Sequence, residues 1–356
     1  MNTLNHYIGR EVVKGAAFAA LVLLALLNFF TFADELRDLG EGNYGLGSIF
    51  LYLTLTSPHS LYELIPSGAL IGGLVVLGNM ANNHELVAMQ AAGVSRGRIV
   101  WAVLRAGIVI SLISVVISEY VIPPAERAAQ MLKATETKQQ VASQTKYGVW
   151  IRDGDVYVNI REIENQEQLG DIHIFEISAD GKPTLAMHAA RASFDRGIWK
   201  LMDIGVTRFD AAGNAAVAEH KEQEDWSSVL SPDMLDVFIV RPENLSAQDL
   251  AKYMAYQTEN AQKSLAVEQA FWGRMVNPFI TLAMLLLAIP FVLNVRRDVG
   301  SGQRIVVGVT IGLGFYLTNR MVSHLGLVYE LNAPLTMVTP PLVVLLAALA
   351  AFRRRP

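Results

Sequence analysis

The chain has 356 residues and a formal net charge of −4, and it is unusually apolar. Hydrophobic residues make up 52% of it and charged residues only 17%, which is too apolar for an ordinary soluble protein of this length. It contains no cysteine, so disulfides, thiolate nucleophiles and cysteine-ligated metals are excluded together. These totals predict a membrane protein.

The apolar residues are clustered in stretches long enough to cross a bilayer, because a membrane helix needs about 20 of them in a row. The stretches are 15–33, 64–83, 99–122, 275–295, 305–329 and 331–352. They predict six spans, arranged as three, a long polar insert, and three more. No clear small-residue cleavage site precedes Asp34, so the first stretch is interpreted as an uncleaved anchor.

Basic residues in the short loops predict the orientation of these spans. They are Arg10, Lys14, Arg96, Arg98, Arg296, Arg297, Arg304, Arg353, Arg354 and Arg355. The loop from Asp34 to Glu63 instead holds five carboxylates and only Arg37. By the positive-inside rule, both termini and the link between the second and third spans are predicted to be cytoplasmic, and the insert external.

That cytoplasmic link contains a short amphipathic stretch, which predicts a helix between two spans. Asn82 is a candidate cap with Glu85 three residues later, and Gly93 can take the left-handed conformation that ends a helix. Leu86, Met89 and Gly93 share one face by their spacing. One hypothesis is that this helix docks on a separate motor subunit. The alternative is a surface turn in which Glu85 only caps its own helix.

The insert predicts an all-β domain between helical connectors. Pro123-Pro124 is expected to stop or redirect the third span, and residues 125–145 look helical. Short strands follow at about ten-residue spacing, the first two around the turn at Asp153-Gly154, which favours an antiparallel sandwich or jelly roll. Residues 246–263 then look helical. Acidic residues outnumber basic ones here, which argues against nucleic-acid binding.

Three ionisable groups within the spans each leave two interpretations open. Glu119 is either a functional intramembrane carboxylate or an interfacial one that is hydrogen-bonded to the next helix. Arg320 and His324, one turn apart, either face a cavity or partner, or Arg320 reaches out to the headgroups.

Motifs for covalent chemistry are missing. The sequence lacks the Gly-x-x-x-x-Gly-Lys-Ser/Thr phosphate loop, His-Glu-x-x-His and Gly-x-Ser-x-Gly, and its seven histidines are scattered. We therefore predict a non-catalytic chain with no cofactor and no metal site, whose energy comes from a partner. A self-sufficient secondary transporter would need titratable pairs at the bilayer midplane, whereas most charges here lie near helix ends.

Several short motifs spread along the chain resemble one family. They are Tyr7-Ile8-Gly9, Asp34 and Gly40, Glu85-Leu86-Val87-x-Met89-Gln90-Ala91-x-Gly93, Glu119-Tyr120-Val121-x-Pro123 and Leu327-Val328-Tyr329. The chain is similar to the LptF/LptG family of permeases, the membrane part of the lipopolysaccharide-export ABC transporter. Within that family it looks closer to the LptG type than to its sister LptF type.

The resemblance implies a membrane α-helical fold, six transmembrane helices in a 3+3 arrangement, with an inserted all-β periplasmic jellyroll domain. Residues 1–122 would hold helices 1–3 with a cytoplasmic coupling helix at about 82–93. Residues 123–270 would be the periplasmic domain with flanking helical connectors, and residues 271–356 helices 4–6.

The resemblance also implies function and partners. The chain would be a permease subunit in the bacterial inner membrane that extracts lipopolysaccharide and passes it to a periplasmic bridge toward the outer membrane. It would pair with an LptF-type permease on two copies of an LptB-type ATPase, with an LptC-type bridge protein alongside. The implied ATPase-coupling residues are Glu85, Leu86, Met89 and Gly93. The alternatives are the LptF-type subunit or a membrane-anchored periplasmic lipid-binding scaffold.

The phosphates of such a lipid need cations at the outer rim. The predicted lipopolysaccharide-binding set is Phe32, Asp34, Arg37, Lys133, Arg274 and Arg320. The first span departs from the family pattern, because Thr31 stands where relatives carry Lys and Asp38 replaces the second member of a basic pair. The phosphate clamp is therefore expected to be weaker at the first span or rebuilt from other helices.

Overall fold

Among the residues that the structure describes, six helices are long and apolar enough to cross a membrane, three before and three after a β domain. The computed structural model describes residues 2–137, 149–165, 167–178, 180–195, 197–209, 216–226, 241–260, 262–294 and 301–353. The six predicted spans and the inserted all-β domain are confirmed.

The first half of the bundle comprises α1 (Asn2–Glu35), α2 (Leu46–Asn82), the short α3 (Glu85–Ala91), α4 (Arg96–Val116) and α5 (Ile122–Thr137). The strands are β1 (Val149–Asp153), β2 (Val156–Asn165), β3 (Gln168–Ile177), β4 (Pro183–Asp195), β5 (Ile198–Phe209) and β6 (Ala216–Trp226). A 3₁₀ turn (Pro242–Asn244) leads to α6 (Ala247–Glu259), α7 (Leu265–Asn294), α8 (Ser301–Val328) and α9 (Ala333–Arg353). Helices run across both predicted domain boundaries, at 122/123 and 270/271.

Helix α2 lies at the centre of the bundle, where it packs against α1, α5, α7 and α8. Small residues permit a close approach to α1. A Cβ placed on Gly72 would lie 2.3 Å from the backbone nitrogen of Ala16, and one on Gly68 would lie 2.8 Å from the Cβ of Ala20. Such contact between backbones is typical of membrane helices, whose association depends on van der Waals packing.

Of the two expectations for Pro123-Pro124, that the prolines stop the third span is wrong. A π-helical turn, Ile117–Val121, joins α4 directly to α5, and both prolines lie in the first turn of α5. Proline is tolerated there because the amides of a first helical turn need no partner within the helix. The wider turn therefore carries the helix through the prolines into α5, which packs against α2. The predicted helix at 125–145 is confirmed as far as Thr137, and its remainder lies outside the described residues.

The described strands form one antiparallel sheet in the order β1-β2-β3-β4-β5-β6. The turn at Gly154, with φ 60°, links β1 to β2 as expected. The all-β prediction is confirmed, but these strands follow sequence order, whereas a sandwich or jelly roll divides its strands between two sheets. One face of the sheet packs against α6 through Leu250 and Tyr256.

Along one line across the sheet, the strands change which of their two faces points toward the core. Buried apolar residues that should be an even number apart are separated by three positions in four consecutive strands: Ile160 and Ile163, Leu169 and Ile172, Ala189 and Ala192, Leu201 and Ile204. Asp171 and Asp203, which lie between these buried residues in β3 and β5, have left-handed backbone with φ of 47° and 55°. The strand register is the same on both sides of each of them, so the neighbouring strands change face together without a bulge.

Two polar contacts fasten the insert to the bundle. The Glu119 carboxylate, in the π-helical turn, accepts hydrogen bonds of 2.9 and 3.1 Å from the backbone N–H of Ala247, at the start of α6. A carboxylate at a helix N-terminus is stabilising because it faces the positive end of the helix dipole. Of the two interpretations of Glu119, the structure supports the hydrogen-bonded structural one.

We predict that Gly72→Ala lowers the thermal stability of the chain, because α1 must move away from α2 to make room for the new Cβ. Overpacking of this kind costs about 1–3 kcal/mol. Thermal unfolding in detergent measures the effect.

Gly314→Ala is the matched control, since a Cβ at this glycine in α8 meets nothing within 4 Å. Its melting temperature should equal or slightly exceed that of the parent chain. Equal melting temperatures for the two variants would contradict the close packing of α1 on α2.

Candidate functional site

The link between α2 and α4, residues 83–95, forms a small projection that we call the foot. His84 takes the left-handed conformation, with φ 60°, so α3 begins at Glu85. The predicted cap at Asn82 is therefore wrong, because Asn82 is the last residue of α2. The predicted end is confirmed. Gly93 has φ 89°, its N–H donates to Gln90 O, and the N–H of Val94 donates to Met89 O, which together form a Schellman motif.

The four predicted coupling residues have different surroundings in the foot. Leu86 is buried in the core of the helix bundle, and Met89 packs against the same core. Gly93 only ends the helix. Glu85 is half-buried, and its Oε2 accepts a hydrogen bond of 3.0 Å from Tyr7 Oη at the start of α1. Leu86 and Met89 thus seat the helix on the bundle, while Glu85 and the exposed Val87 face outward.

Arg304, predicted as a loop cation, instead connects α8 to the last turns of α2, next to the foot. It is buried, and its guanidinium lies over Gly78, where a Cβ would be 2.4 Å from Nη1. Its Nη2 donates to Asn82 Oδ1 at 2.8 Å. A cation is stabilising here because the negative end of the α2 dipole lies at this terminus. The base of α8 is thereby fixed to the end of α2.

A cavity of about 260 Å³ opens at the other end of the bundle, toward the β domain, among α2, α7, α8 and α9. We call it the β-side cavity. Its polar lining residues include His59, Glu63, Gln269, Arg274, Asn277, Asn319, Arg320 and Ser323, and its apolar ones Val276, Ile280, Phe315 and Met337. Polar and apolar residues occur together along the depth of the cavity, since the apolar Leu327 lies nearer the β domain than Ser323 and the polar Asn277 lies beside Val276.

An ion pair separates this cavity from a second one of about 310 Å³ that reaches α1 and α5. Arg320 Nη2 lies 2.7 Å from Glu63 Oε1, and both residues line both cavities. The Arg320 guanidinium also lies over the Tyr316 ring. The cavity interpretation of Arg320 is thus supported, whereas His324 does not line either cavity. Sequence reasoning missed Glu63 because it began the second span at Leu64, whereas α2 begins at Leu46.

Arg274 does not occupy the rim position that the sequence predicted. It is only 6% exposed, and its Nη1 and Nη2 donate to the carbonyls of Ser118 and Glu243 at 2.7 and 3.2 Å. Its guanidinium also lies over the Tyr62 ring, 5.8 Å from the centroid. The π-helical turn frees carbonyls such as that of Ser118, and a buried guanidinium satisfies them. Arg274 therefore holds the connectors together.

Lys133 is not a free cation either. Its Nζ lies 2.8 Å from Glu35 Oε2 and 2.9 Å from Asp38 Oδ2, so one positive charge faces two carboxylates. Tyr44 donates to Glu35 Oε2 at 2.9 Å. Burial, followed by the hydrogen bond to Glu35 and its charge, raises the pKa of Tyr44, so it remains a neutral donor. This cluster joins α1 to α5 and has little capacity left for a phosphate.

The remaining predicted substrate residues lie near the end of α1. Phe32 stacks on Phe50 of α2, with ring centroids 5.4 Å apart. Asp34 and Arg37 form a solvent-exposed pair 3.4 Å apart, and the Arg37 side chain is 81% exposed. An ion pair this exposed contributes little to stability, so Arg37 remains accessible to an anion.

We predict that Arg274→Ala destabilises the chain by about 3 kcal/mol, because it leaves buried carbonyls without donors. The exposed Arg37 provides the control, since Arg37→Ala should change stability by less than about 0.5 kcal/mol. Unfolding in detergent compares the two. An unchanged melting temperature for Arg274→Ala would contradict the structural role assigned to Arg274.

We also predict that Gly93→Ala loosens the foot without disturbing the bundle. A side chain at φ 89° costs about 1 kcal/mol, although no atom lies within 4 Å of the new Cβ. Hydrogen exchange of the α3 amides should accelerate about fivefold.

Gly97→Ala is the control for this prediction, because Gly97 has equal space but ordinary helical geometry in α4. Its effect on exchange in α3 should be negligible. Equal exchange in both variants would contradict the assigned role of Gly93.

Comparisons with known proteins agree along nearly the whole chain. A family described as "Lipopolysaccharide export system permease LptF/LptG" matches residues 6–354. The lipopolysaccharide export system permease protein LptG of Haemophilus influenzae is 31% identical over 346 residues, 96% of each chain. The LptG protein of Escherichia coli K12 is 28% identical over 355 residues, covering 98% of this chain and 95% of the relative.

Proposed function

The chain belongs to the LptF/LptG family of lipopolysaccharide export permeases, and from this premise we propose that it couples ATP hydrolysis on a separate subunit to lipopolysaccharide extraction. The family membership makes it a non-catalytic transporter subunit of the inner membrane. The proposal adds a cytoplasmic foot that docks on an LptB-type ATPase, and a β domain that begins a periplasmic bridge with an LptC-type protein.

The geometry of the foot is the observation that carries the coupling part of this proposal. A seven-residue helix is too short to be stable alone, yet α3 is held from three directions. Leu86 anchors it in the bundle, the Schellman motif ends it, and Tyr7 donates to Glu85. What remains accessible is the half-buried Glu85 carboxylate and, two residues later and therefore on another side of the helix, the exposed Val87. Such a surface suits a basic, partly apolar groove on a partner.

The membrane faces of α1 and α8 support pairing with a second permease. Only 11% of the apolar stretch of each helix is buried, against 67% in α2 and α7. Faces this unburied must contact either lipid or another helical protein. The relatives above are LptG proteins, which favours an LptG-type role for this chain beside an LptF-type partner.

The β-side cavity fits a lipid better than a small polar solute. Its lining combines polar and apolar residues, as the headgroup and acyl chains of a lipid require, whereas the second cavity is lined mainly by polar residues. Two of the predicted cations are already compensated: Arg320, which lines both cavities, is bonded to Glu63, and Lys133, which lines neither, is bonded to Glu35 and Asp38. We therefore infer that much of the positive charge for the lipid phosphates comes from the partner permease, with Arg37 and Arg320 contributing from this chain.

The test of the proposal is charge reversal at the foot. In a reconstituted complex with its ATPase, Glu85→Lys should reduce ATP-driven lipid release at least about tenfold, because a like charge at a docking surface is repulsive. Glu85→Gln should give an intermediate loss. The readouts are lipopolysaccharide release and the ATPase rate.

The matched control is Glu11→Lys, which reverses a carboxylate on α1 near the same end of the bundle, where Glu11 pairs with Lys14. It should leave release within about twofold of the parent complex, in line with the small contribution of exposed ion pairs. Full lipid release by Glu85→Lys, or equal losses in both variants, would contradict docking through α3.

A further inference from the structure

Two neighbouring strands of the β domain bring three metal-ligating side chains together. Asp171 and His173 are two residues apart in β3, so the alternation of a strand places both on the face opposite to the core residues Ile172 and Ile174. His188 of β4 is the register partner of His173 and lies on the same face. These three residues belong neither to the foot nor to the linings of the two cavities.

The three side chains converge on one point. Asp171 Oδ1 lies 3.1 Å from His173 Nε2 and 2.8 Å from His188 Nε2, and all three ligand atoms lie within 4.8 Å of one another. With metal–ligand bonds of about 2.0–2.1 Å, tetrahedral geometry places ligand atoms roughly 3.3 Å apart. The two distances from Asp171 to the imidazoles, 3.1 and 2.8 Å, lie within about 0.5 Å of this value.

The surroundings orient these ligands and leave a path from solvent. Arg161 Nη1 lies 3.3 Å from Asp171 Oδ2, which leaves Oδ1 directed at the imidazoles. The two imidazole rings lie 4.6 Å apart, and His173 also stacks on Phe175. The side chains of Asp171, His173 and His188 are 34%, 25% and 50% exposed. An ion can therefore enter without unfolding the sheet.

We propose that Asp171, His173 and His188 form a binding site for a divalent transition-metal ion, with Zn²⁺ as its best probe. Two imidazole nitrogens and one carboxylate oxygen suit Zn²⁺ and leave at least one position for water. A bound ion would join β3 to β4 next to the line where the strands change the face that points toward the core. The charge of Arg161 near the carboxylate makes this a weaker, exchangeable site.

The competing explanation is a hydrogen-bonded cluster without a metal, in which both imidazoles donate to Asp171. The same distances suit that arrangement, and a binding measurement distinguishes the metal site from the metal-free cluster. Sequence reasoning predicted no metal site because the ligands lie on two strands and follow no ligand-spacing motif.

The experiment is Zn²⁺ titration of the full chain in detergent, purified without a histidine tag, followed by isothermal calorimetry and by Co²⁺ absorption spectroscopy. We expect one ion per chain at this site and a rise in the melting temperature on adding Zn²⁺. His188→Ala and Asp171→Asn should each weaken binding at least about tenfold. Asn is chosen at position 171 because it tolerates the left-handed backbone there.

The matched control is His220→Ala. His220 lies on β6 and faces Asp203 at 3.6 Å, a second Asp–His pair that is not part of the three-ligand cluster. The proposal predicts unchanged Zn²⁺ affinity in this variant. The absence of stoichiometric binding by the parent chain, or equal affinities for the parent, His188→Ala and Asp171→Asn chains, would overturn it. Transport assays play no part in this test, so its outcome is separate from that of the proposed function.

Discussion

The close approach of α2 to α1 determines how the helix bundle is assembled. Because Gly68 and Gly72 let the two backbones touch, α2 occupies the centre of the bundle and meets most of the other membrane helices. The same helix carries Glu63 beside the cavities and ends at Asn82, where the foot begins. These two residues are about 28 Å apart along the helix, so α2 physically connects the two candidate functional regions.

This arrangement gives the proposed coupling a physical path. A displacement of the foot acts on Asn82, to which Arg304 fixes the base of α8. The other half of α8 carries Arg320, which is paired with Glu63 of α2. Helices α2 and α8 are thus connected both at the foot and at the cavities, and relative movement must break one of these contacts. A chain without a phosphate-binding loop needs such a connection if a partner supplies the energy.

Local sequence signals predicted the fold well, because the features concerned are set by neighbouring residues. Hydropathy located six spans, the Asp-Gly turn located β1 and β2, and Gly93 located the end of α3. The cap at Asn82 failed because α2 continues through Asn82 and the left-handed residue that separates α2 from α3 is His84, a conformation that few non-glycine residues take. The stop at Pro123 failed because a π-helical turn accommodates both prolines.

The candidate substrate site was harder to predict, because its charges find partners far away in sequence. Lys133 is bonded to Glu35 and Arg320 to Glu63, across 98 and 257 positions. Arg274 is buried and donates to carbonyls, one of which, that of Ser118, lies in the π-helical turn. Choosing cations by charge and approximate membrane depth therefore identified residues of the right charge. It could not tell which of them already pair with a carboxylate.

The central claim is that the foot docks on an ATP-hydrolysing subunit, and site-specific photo-crosslinking in native membranes tests it most directly. Val87 is the site for the photoreactive residue, because it is exposed on α3 and takes no part in the core. We predict a cross-link from Val87 to a P-loop ATPase, identified by mass spectrometry and absent with the same probe at Phe18, an exposed residue within the membrane span of α1. A cross-link from Val87 to a periplasmic protein, or only to lipid, would contradict it.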